Sequence, residues 1–342
     1  MQIEPRVNVS LRDYSTMRLG GPAAFLLDIN AASQIGPAID WAEARNLPVV
    51  MIGGGSNIIW NDAGFNGLVL VNKIAGYEVQ PQGEQIFITV GAGEPWDSVV
   101  ARGVNEGLSG IEQLSLIPGN TGATPIQNVG AYGREISEVL VCVQAYDRQE
   151  KKVVVISQSD CGFAYRTSRF KTTDKGRFFI TSVTLALTKH FPMPPFYDSL
   201  EKQLLEHGIH QPNVSQIRAA IVMIRSSKLP DPAVVANCGS FFGNPIVDSS
   251  RLNQLIDKHP GLKYWLLSDG QAKISAGWLL EQLGLKGYHE PNTGMAIWDK
   301  QALVFVNESA PNTLSLLAFR DAIIKSVQDK FGVTLEQEPE LI

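Results

Sequence analysis

A serine set between a glycine and two phenylalanines, Gly239-Ser240-Phe241-Phe242, followed by Gly243-Asn244-Pro245, is a segment suited to presenting one hydroxyl. Glycine lets backbone and hydroxyl come close to a ligand. The two rings can fix the loop against a core, and Asn244, placed before Pro245, is pushed towards an extended conformation that aims its amide outward. Other residues carry candidate charges. Arg166, Arg169 and Lys171 stand among Phe163, Tyr165 and Phe170; a guanidinium fork can grip a carboxylate or stabilise a developing oxyanion, or the stretch can simply face water. Arg225 and Lys228 end a helix pattern stopped by Pro230, where positive charge suits the helix terminus and Lys228 can also pair with a phosphate. Tyr197 can cap a ligand or sit half-buried like an ordinary tyrosine. In the acidic tail, Glu336 and Glu338 fall on one side of an extended strand and Gln337 on the other, so a carboxylate can enter a cleft or stay solvated.

Two glycine-rich stretches could hold a polar ligand. Gly53-Gly54-Gly55-Ser56-Asn57 follows an apolar strand pattern, and bare backbone N–H groups there can close round a phosphate, with Ser56 and Asn57 adding donors. A tight turn is the plainer reading. The spacing is not the dinucleotide fingerprint, and Gly91-Ala92-Gly93 has Trp96 at the third glycine position, which disfavours a nicotinamide-binding Rossmann fold. The longer stretch, 117–133, alternates small residues with hydroxyls and amides and holds few charges. A flat polar ligand lying on exposed backbone requires such a surface; an irregular buried loop is the alternative.

The elements that must position these residues fall into three regions. Helix patterns cover 33–46, with Ser33 as a candidate cap, and 95–106, with Pro95 at the first position. Strand patterns cover 48–52, 68–72, 86–90, 139–146, 152–156 and 180–187. After a Pro-rich linker at 191–195, helices are expected at 215–228, 249–258, 275–283 and 313–331, and strands at 302–307 and 333–336, the last able to return to the first domain. At 342 residues the chain is too long for one ordinary core. A net charge of -5 argues against nucleic acid as the main partner. Three dispersed cysteines, Cys142, Cys161 and Cys238, fit a reducing compartment; with no apolar signal core at the N-terminus and no run of membrane-span length, a cytoplasmic protein with no membrane contact is expected. Cys238, beside Ser240, can be a reactive thiol, though a small buried support for its loop is the plainer reading. His207 and His210 lack further ligands at suitable spacing, so no metal is expected.

Taken in order, Ile52-Gly53-Gly54-Gly55-Ser56-Asn57, Ile117-Pro118-Gly119, 125–133, Tyr165-Arg166, Lys228-Leu229-Pro230-Asp231-Pro232, 239–245 and Ala276-Gly277-Trp278-Leu279 resemble the signature blocks of the UDP-N-acetylenolpyruvoylglucosamine reductases, over essentially the whole chain. The segment round Tyr197 and the helical insertion after it look like the first of that family's two types. The resemblance implies an α+β fold: a two-part FAD-binding domain of the PCMH, or vanillyl-alcohol-oxidase-like, kind and a C-terminal α+β substrate-binding domain. The implied boundaries are 1–72 joined by a strand in 332–342, then 73–190, then 196–331.

It further implies non-covalent FAD, NADPH as reductant, and UDP-GlcNAc enolpyruvate, a peptidoglycan precursor, as small-molecule substrate of a monomeric enzyme. Cofactor contacts carry over to Gly53, Gly54, Gly55, Ser56, Asn57, Ile117, Pro118, Gly119, Gly122, Thr124, Gln127, Asn128, Gly130, Ala131 and Tyr132. Substrate contacts carry over to Tyr165, Tyr197, Lys228, Asn244 and Gln301. Arg166, Ser240 and Glu338 carry over as the catalytic set, hydride going to C3 and a proton from Ser240 to C2. Choosing Glu338 over Glu336 rests on aligning Leu335-Glu336-Gln337-Glu338. Two departures stand out: Trp298 replaces an expected histidine three residues before Gln301, and Pro339-Glu340-Leu341-Ile342 shortens the closing strand. The rivals are another FAD-dependent oxidoreductase of the same flavin fold acting on an alcohol or sugar, and a non-catalytic binder of flavin or UDP-sugar. No histidine lies in either glycine loop to attach flavin covalently, and a mere binder needs no proton donor.

Overall fold

The computed structural model of the chain describes residues 3–267 and 269–342. Helices and strands are mixed as expected, and the chain forms two compact units. The first comprises residues up to Val9, Ala23–Gly54 and Asn66–Ser226; the second comprises Ser10–Pro22, Gly55–Phe65 and Ser227–Ile342.

In the first unit, a four-stranded sheet has the order Arg6–Ser10, Pro22–Ile29, Phe65–Asn72, Val49–Ile52. The last two strands run parallel, with Val49 opposite Leu68. The helix Ile35–Glu43 buries Ile35, Ala38, Ile39 and Ala42 against this sheet's Leu68 and Leu70. Ser33 does not cap it. No side chain caps it; Gln34 Oε1 accepts the N–H of Asn30 at 2.6 Å and of Ala31 at 3.0 Å and so closes the single 3-10 turn, Ala32–Gln34, that leads into the helix. A second, five-stranded antiparallel sheet has the order Lys152–Ser157, Leu140–Asp147, Phe178–Thr188, Gln85–Gly91, Tyr77–Gln82. The helix Trp96–Asn105 packs on it through Trp96, Val99, Val100 and Val104, with Pro95 as its cap residue, one place before the helix proper. Helices Asp198–Glu206 and Val214–Lys228 share a small separate core of Leu200, Leu204, Ile217 and Ile221.

In the second unit, a four-stranded sheet runs Asn237–Ser240, Val304–Asn307, Met295–Ile297, His289–Glu290. Met295, Ile297 and Phe305 face the main core, where they meet Leu316, Phe319, Ile323 and Val327 of the helix Thr313–Phe331. That helix is closed at both ends. Asn312 Oδ1 accepts the Ser315 N–H at 3.0 Å, and Gly332 takes the left-handed conformation at φ 60° that a helix stop favours. A smaller sheet, Ile246–Val247, Ala272–Ile274, Tyr264–Leu266, lies with helices Ser249–Lys258 and Ala276–Gln282.

The chain end differs in detail from the strand expected at 333–336. Gln337 forms an isolated bridge to Phe242, and only Glu340–Leu341 is a strand, parallel to Ile58–Ile59. Among the described residues no helix is long and apolar enough to cross a membrane.

Candidate active site

The Ser240 segment is held from inside by rings. Phe241 stacks on Phe305 with centroids 4.4 Å apart, and Phe242 meets both edge-on at 5.3 and 5.4 Å. Both phenylalanines are sealed from water, so Ser240, half-buried, is presented by a rigid base. The tail lies alongside. The Gly243 N–H donates to the Glu336 carbonyl at 3.0 Å and the Glu338 N–H donates to the Phe241 carbonyl at 2.9 Å. The Glu338 side chain lies against Gly243: a Cβ there would stand 3.7 Å from both Cγ and Oε1 of Glu338. Glu336 is exposed. Burial pushes the Cys238 thiol well above its ordinary range, and the Glu338 charge adds to this, so Cys238 is a packed, inert residue.

Nearby in the second unit, Asn244 Oδ1 accepts the Ala276 N–H at 2.9 Å. Gln301 Oε1 lies 3.7 Å from the place a Cβ would take on Gly277. Asn244, the first turn of the helix Ala276–Gln282 and Gln301 are thereby gathered into one wall. Lys228 is exposed at its helix end. Trp298, like Leu229 and Val235, packs against the buried Ala296, Val304 and Val306, and its indole N–H is buried without a hydrogen-bond partner among the described residues.

In the first unit, Arg166 sits at φ 53° and its Nη2 donates to the Gly130 carbonyl at 2.6 Å. A side chain on Gly130 would come within 3.0 Å of Arg166 Nη1, so the glycine lets the guanidinium approach. Tyr165 lies beside it, with the Arg166 Cζ 5.5 Å from the ring centroid. Gly54 faces the second glycine loop: a Cβ on it would stand 2.9 Å from Asn120 Oδ1 and 3.3 Å from the Gly119 Cα. Asn120 braces that contact by donating to the Gly93 carbonyl at 3.0 Å. Gly122 packs so closely that a Cβ would fall 2.5 Å from the Ala92 Cβ.

Not every residue of the loop offers its side chain outward. Thr124 Oγ1 is buried and donates to the Thr121 carbonyl. Asn128 is buried, its Nδ2 donating to Glu135 and Ala164 and its Oδ1 accepting the Ser137 N–H. Both shape the loop from within. Tyr132, at φ 50°, meets Tyr197 edge-on at 5.9 Å and packs near the two-helix core. Its hydroxyl is hydrogen-bonded to Arg225, whose own pKa is lowered chiefly by burial. Tyr132 and Arg225 thus stand with Tyr197. Neighbouring Arg218 forks onto Asp97 at 2.7 and 2.9 Å.

One segment escaped the sequence reading. Residues 14–18 bind both the glycine loop and the Ser240 strand within the second unit. The Thr16 N–H donates to the Gly55 carbonyl at 3.1 Å, and the Thr16 carbonyl accepts the Asn237 N–H at 3.0 Å. Arg18, at φ 57°, donates to the carbonyls of Pro232 and Ala233. The Gly20-Gly21 pair was the available signal, since a Cβ on Gly21 would stand 2.2 Å from the Asp62 carbonyl oxygen.

The residues present fit FAD. Gly54 is exposed, and a Cβ on it would crowd the half-buried Gly119, so both glycine stretches present bare backbone of the kind a flat phosphate-bearing ligand needs. Among the described residues no group of three or more His, Cys, Asp or Glu is placed to hold a metal ion.

A family model for an FAD binding domain matches residues 24–155, and one for the UDP-N-acetylenolpyruvoylglucosamine reductase C-terminal domain matches residues 231–342. The reductase of that name from Ralstonia nicotianae is 40% identical over 333 residues, covering 96% of each chain. One from Pseudomonas fluorescens is 40% identical over 340 residues, covering 99% of this chain and 98% of its own. The crystal structure of the Thermus caldophilus reductase is similar in fold, with a TM-score of 0.67 at 24% identity over 99% of both chains. A solvent-stable cholesterol oxidase shares the fold more distantly, with a TM-score of 0.51 at 11% identity over 98% of this chain and 86% of its own. The chain belongs to the UDP-N-acetylenolpyruvoylglucosamine reductase family, FAD-dependent oxidoreductases that reduce UDP-GlcNAc enolpyruvate for peptidoglycan synthesis.

Proposed function

We propose that the enzyme uses NADPH as its reductant and that Ser240, Arg166 and Glu338 carry the reduction of the enolpyruvyl ether. The observation that carries this reading is the lie of the tail. Main-chain bonds fix Glu338 and Glu336 against the Ser240 segment, and the Glu338 side chain, not that of exposed Glu336, rests on Gly243.

The chemistry supplied by bound FAD is a two-electron relay from NADPH to C3 of the enolpyruvyl group. As C3 gains hydride, the electron pair of the C2–C3 double bond moves towards C2 and the carboxylate. Arg166 neutralises that growing charge; its guanidinium stays cationic at every working pH. Ser240 gives its proton to C2, completing the lactyl ether, and the hydroxyl is reprotonated from solvent. A serine is a weak acid, but a carbanion-like centre is a strong base, so placement decides the rate. Glu338 assists as a protonated or Arg-paired group, since a second free anion would oppose the enolate. Lys228 meets the diphosphate, with Tyr197, Tyr165, Asn244 and Gln301 holding the rest of the sugar nucleotide. The setting is the cytoplasm and the working form a monomer, which sedimentation checks.

The test is anaerobic. NADPH bleaches the flavin of the holoenzyme, and UDP-GlcNAc enolpyruvate restores its oxidised spectrum. Ser240→Ala keeps the first step within about twofold and slows the second at least about 100-fold. Equal loss of both steps, or none in the second, overturns the proton-donor role.

A further inference from the structure

We propose that Asn237 is a positioning residue for Ser240, acting through a side-chain-locked β-bulge that also ties Ser240 to the loop after Lys228. The proposal rests on the reading of Ser240 as proton donor.

The bulge is visible in the ladder. Asn237 pairs with Val306 and Ser240 with Val304, so three steps on one strand match two on the other. One extra residue is inserted, and in a strand this reverses which face every later side chain takes. Without it, Ser240 would point to the face opposite Asn237. With it, Ser240 shares the face of Val304 and Val306, against which Leu229, Val235 and Trp298 pack. Register resumes at once, since the Phe241 N–H donates to the Leu303 carbonyl at 2.8 Å.

A single amide holds the extra residue. Asn237 is buried, and its Oδ1 accepts the Gly239 N–H at 3.0 Å, replacing a lost ladder partner. Gly239 takes φ 73°. A Cβ on it would meet nothing within 4 Å, so glycine is needed there for its conformation and not for space. The Asn237 Nδ2 donates to the Val235 carbonyl at 2.8 Å and the Pro230 carbonyl at 3.4 Å. Both carbonyls belong to the turn that follows Lys228. The separation between proton donor and Lys228 loop is therefore set by the two ends of one side chain. An aliphatic residue at 237 would fill the space but take away the partner of the partly buried Gly239 N–H and of the Pro230 and Val235 carbonyls.

Two variants separate this from general destabilisation. Asn237→Ala removes the lock. Gly239→Ala leaves Asn237 untouched, clashes with nothing, and opposes only the positive φ. In the holoenzyme, both are expected to bind flavin normally and to be reduced by NADPH within about twofold of the wild-type rate. Reoxidation by UDP-GlcNAc enolpyruvate should fall about 10- to 100-fold, the loss typical of a catalytic group displaced by about an ångström. The solvent deuterium isotope effect on reoxidation should rise as proton delivery becomes limiting. Reoxidation within about threefold of wild type in both variants, while Ser240→Ala is slow, overturns the positioning role alone. So does a parallel loss of flavin and of both half-reactions. A wild-type reoxidation rate in Ser240→Ala overturns the reading beneath it.

Discussion

The backbone N–H of Glu338 donates to the carbonyl of Phe241 at 2.9 Å, which sets the register of the chain's acidic tail against the segment that carries Ser240. Two residues earlier the Glu336 carbonyl accepts the Gly243 N–H, and the bridge between Phe242 and Gln337 lies between these bonds. This register separates two carboxylates that the sequence leaves equivalent.

Glu338→Gln is accordingly expected to slow flavin reoxidation by the enolpyruvyl substrate about 100-fold or more, while Glu336→Gln stays within about twofold of wild type. Stopped-flow absorbance of the flavin checks both. The reverse order would place Glu336 at the reaction.

Lys228→Ala is expected to raise the KM for the sugar nucleotide about 10- to 100-fold with little change in flavin content, as loss of a charge-assisted phosphate contact should. Steady-state kinetics and the ratio of visible to ultraviolet absorbance measure the two effects separately.

Gly122→Val is expected to lower flavin retention and thermal stability together, because its Cβ would collide with Ala92 at 2.5 Å and strain is the usual result of overpacking. Titrating apoprotein with FAD, followed by flavin fluorescence, gives the affinity; a normal Kd would show that the loop can yield.

Asp97 offers a test in pH. Burial pushes its pKa up, but the Arg218 fork and the Leu116 N–H outweigh this, leaving it below the ordinary carboxylate value. A carboxylate depressed in the folded state contributes stability that is fully present above its unfolded pKa, near 4, and lost as pH falls through the folded value. Asp97→Asn should therefore lower Tm at pH 7, and the gap from wild type should narrow below about pH 4. A gap independent of pH would assign the effect to packing.

The sequence announced elements with strong local signals. The helix Thr313–Phe331 has an amide cap, a repeating apolar stripe and a terminal glycine, and it appears where expected. The strand Pro22–Ile29 went unseen because its buried positions, Ala23, Leu26 and Ile29, recur every third residue, so no alternation marks it. Ser240 was legible from its neighbours in the chain. Asn237 was not, because its role lies in hydrogen bonds to Pro230, Val235 and Gly239 that no periodicity encodes. Residues 14–18 were marked only by the neighbouring Gly20-Gly21 pair, because their partners, from Gly55 to Asn307, are distant in the chain and largely main-chain atoms. Tyr132 reads by its loop as a cofactor contact, while packing places it beside Tyr197 and Arg225.

The second unit draws on residues 10–22 and 55–65 as well as 227–342, and Met17, Leu19 and Ile59 are sealed in its core beside Phe305 and Leu316. During synthesis those early segments leave the ribosome long before their partners exist. The first unit can close once Ser226 has emerged, whereas Met17 and Ile59 must wait with apolar surface uncovered until the last helix is made. A stalled or truncated chain would thus carry a finished first unit and an exposed, sticky remnant of the second, a natural handle for chaperones and proteases.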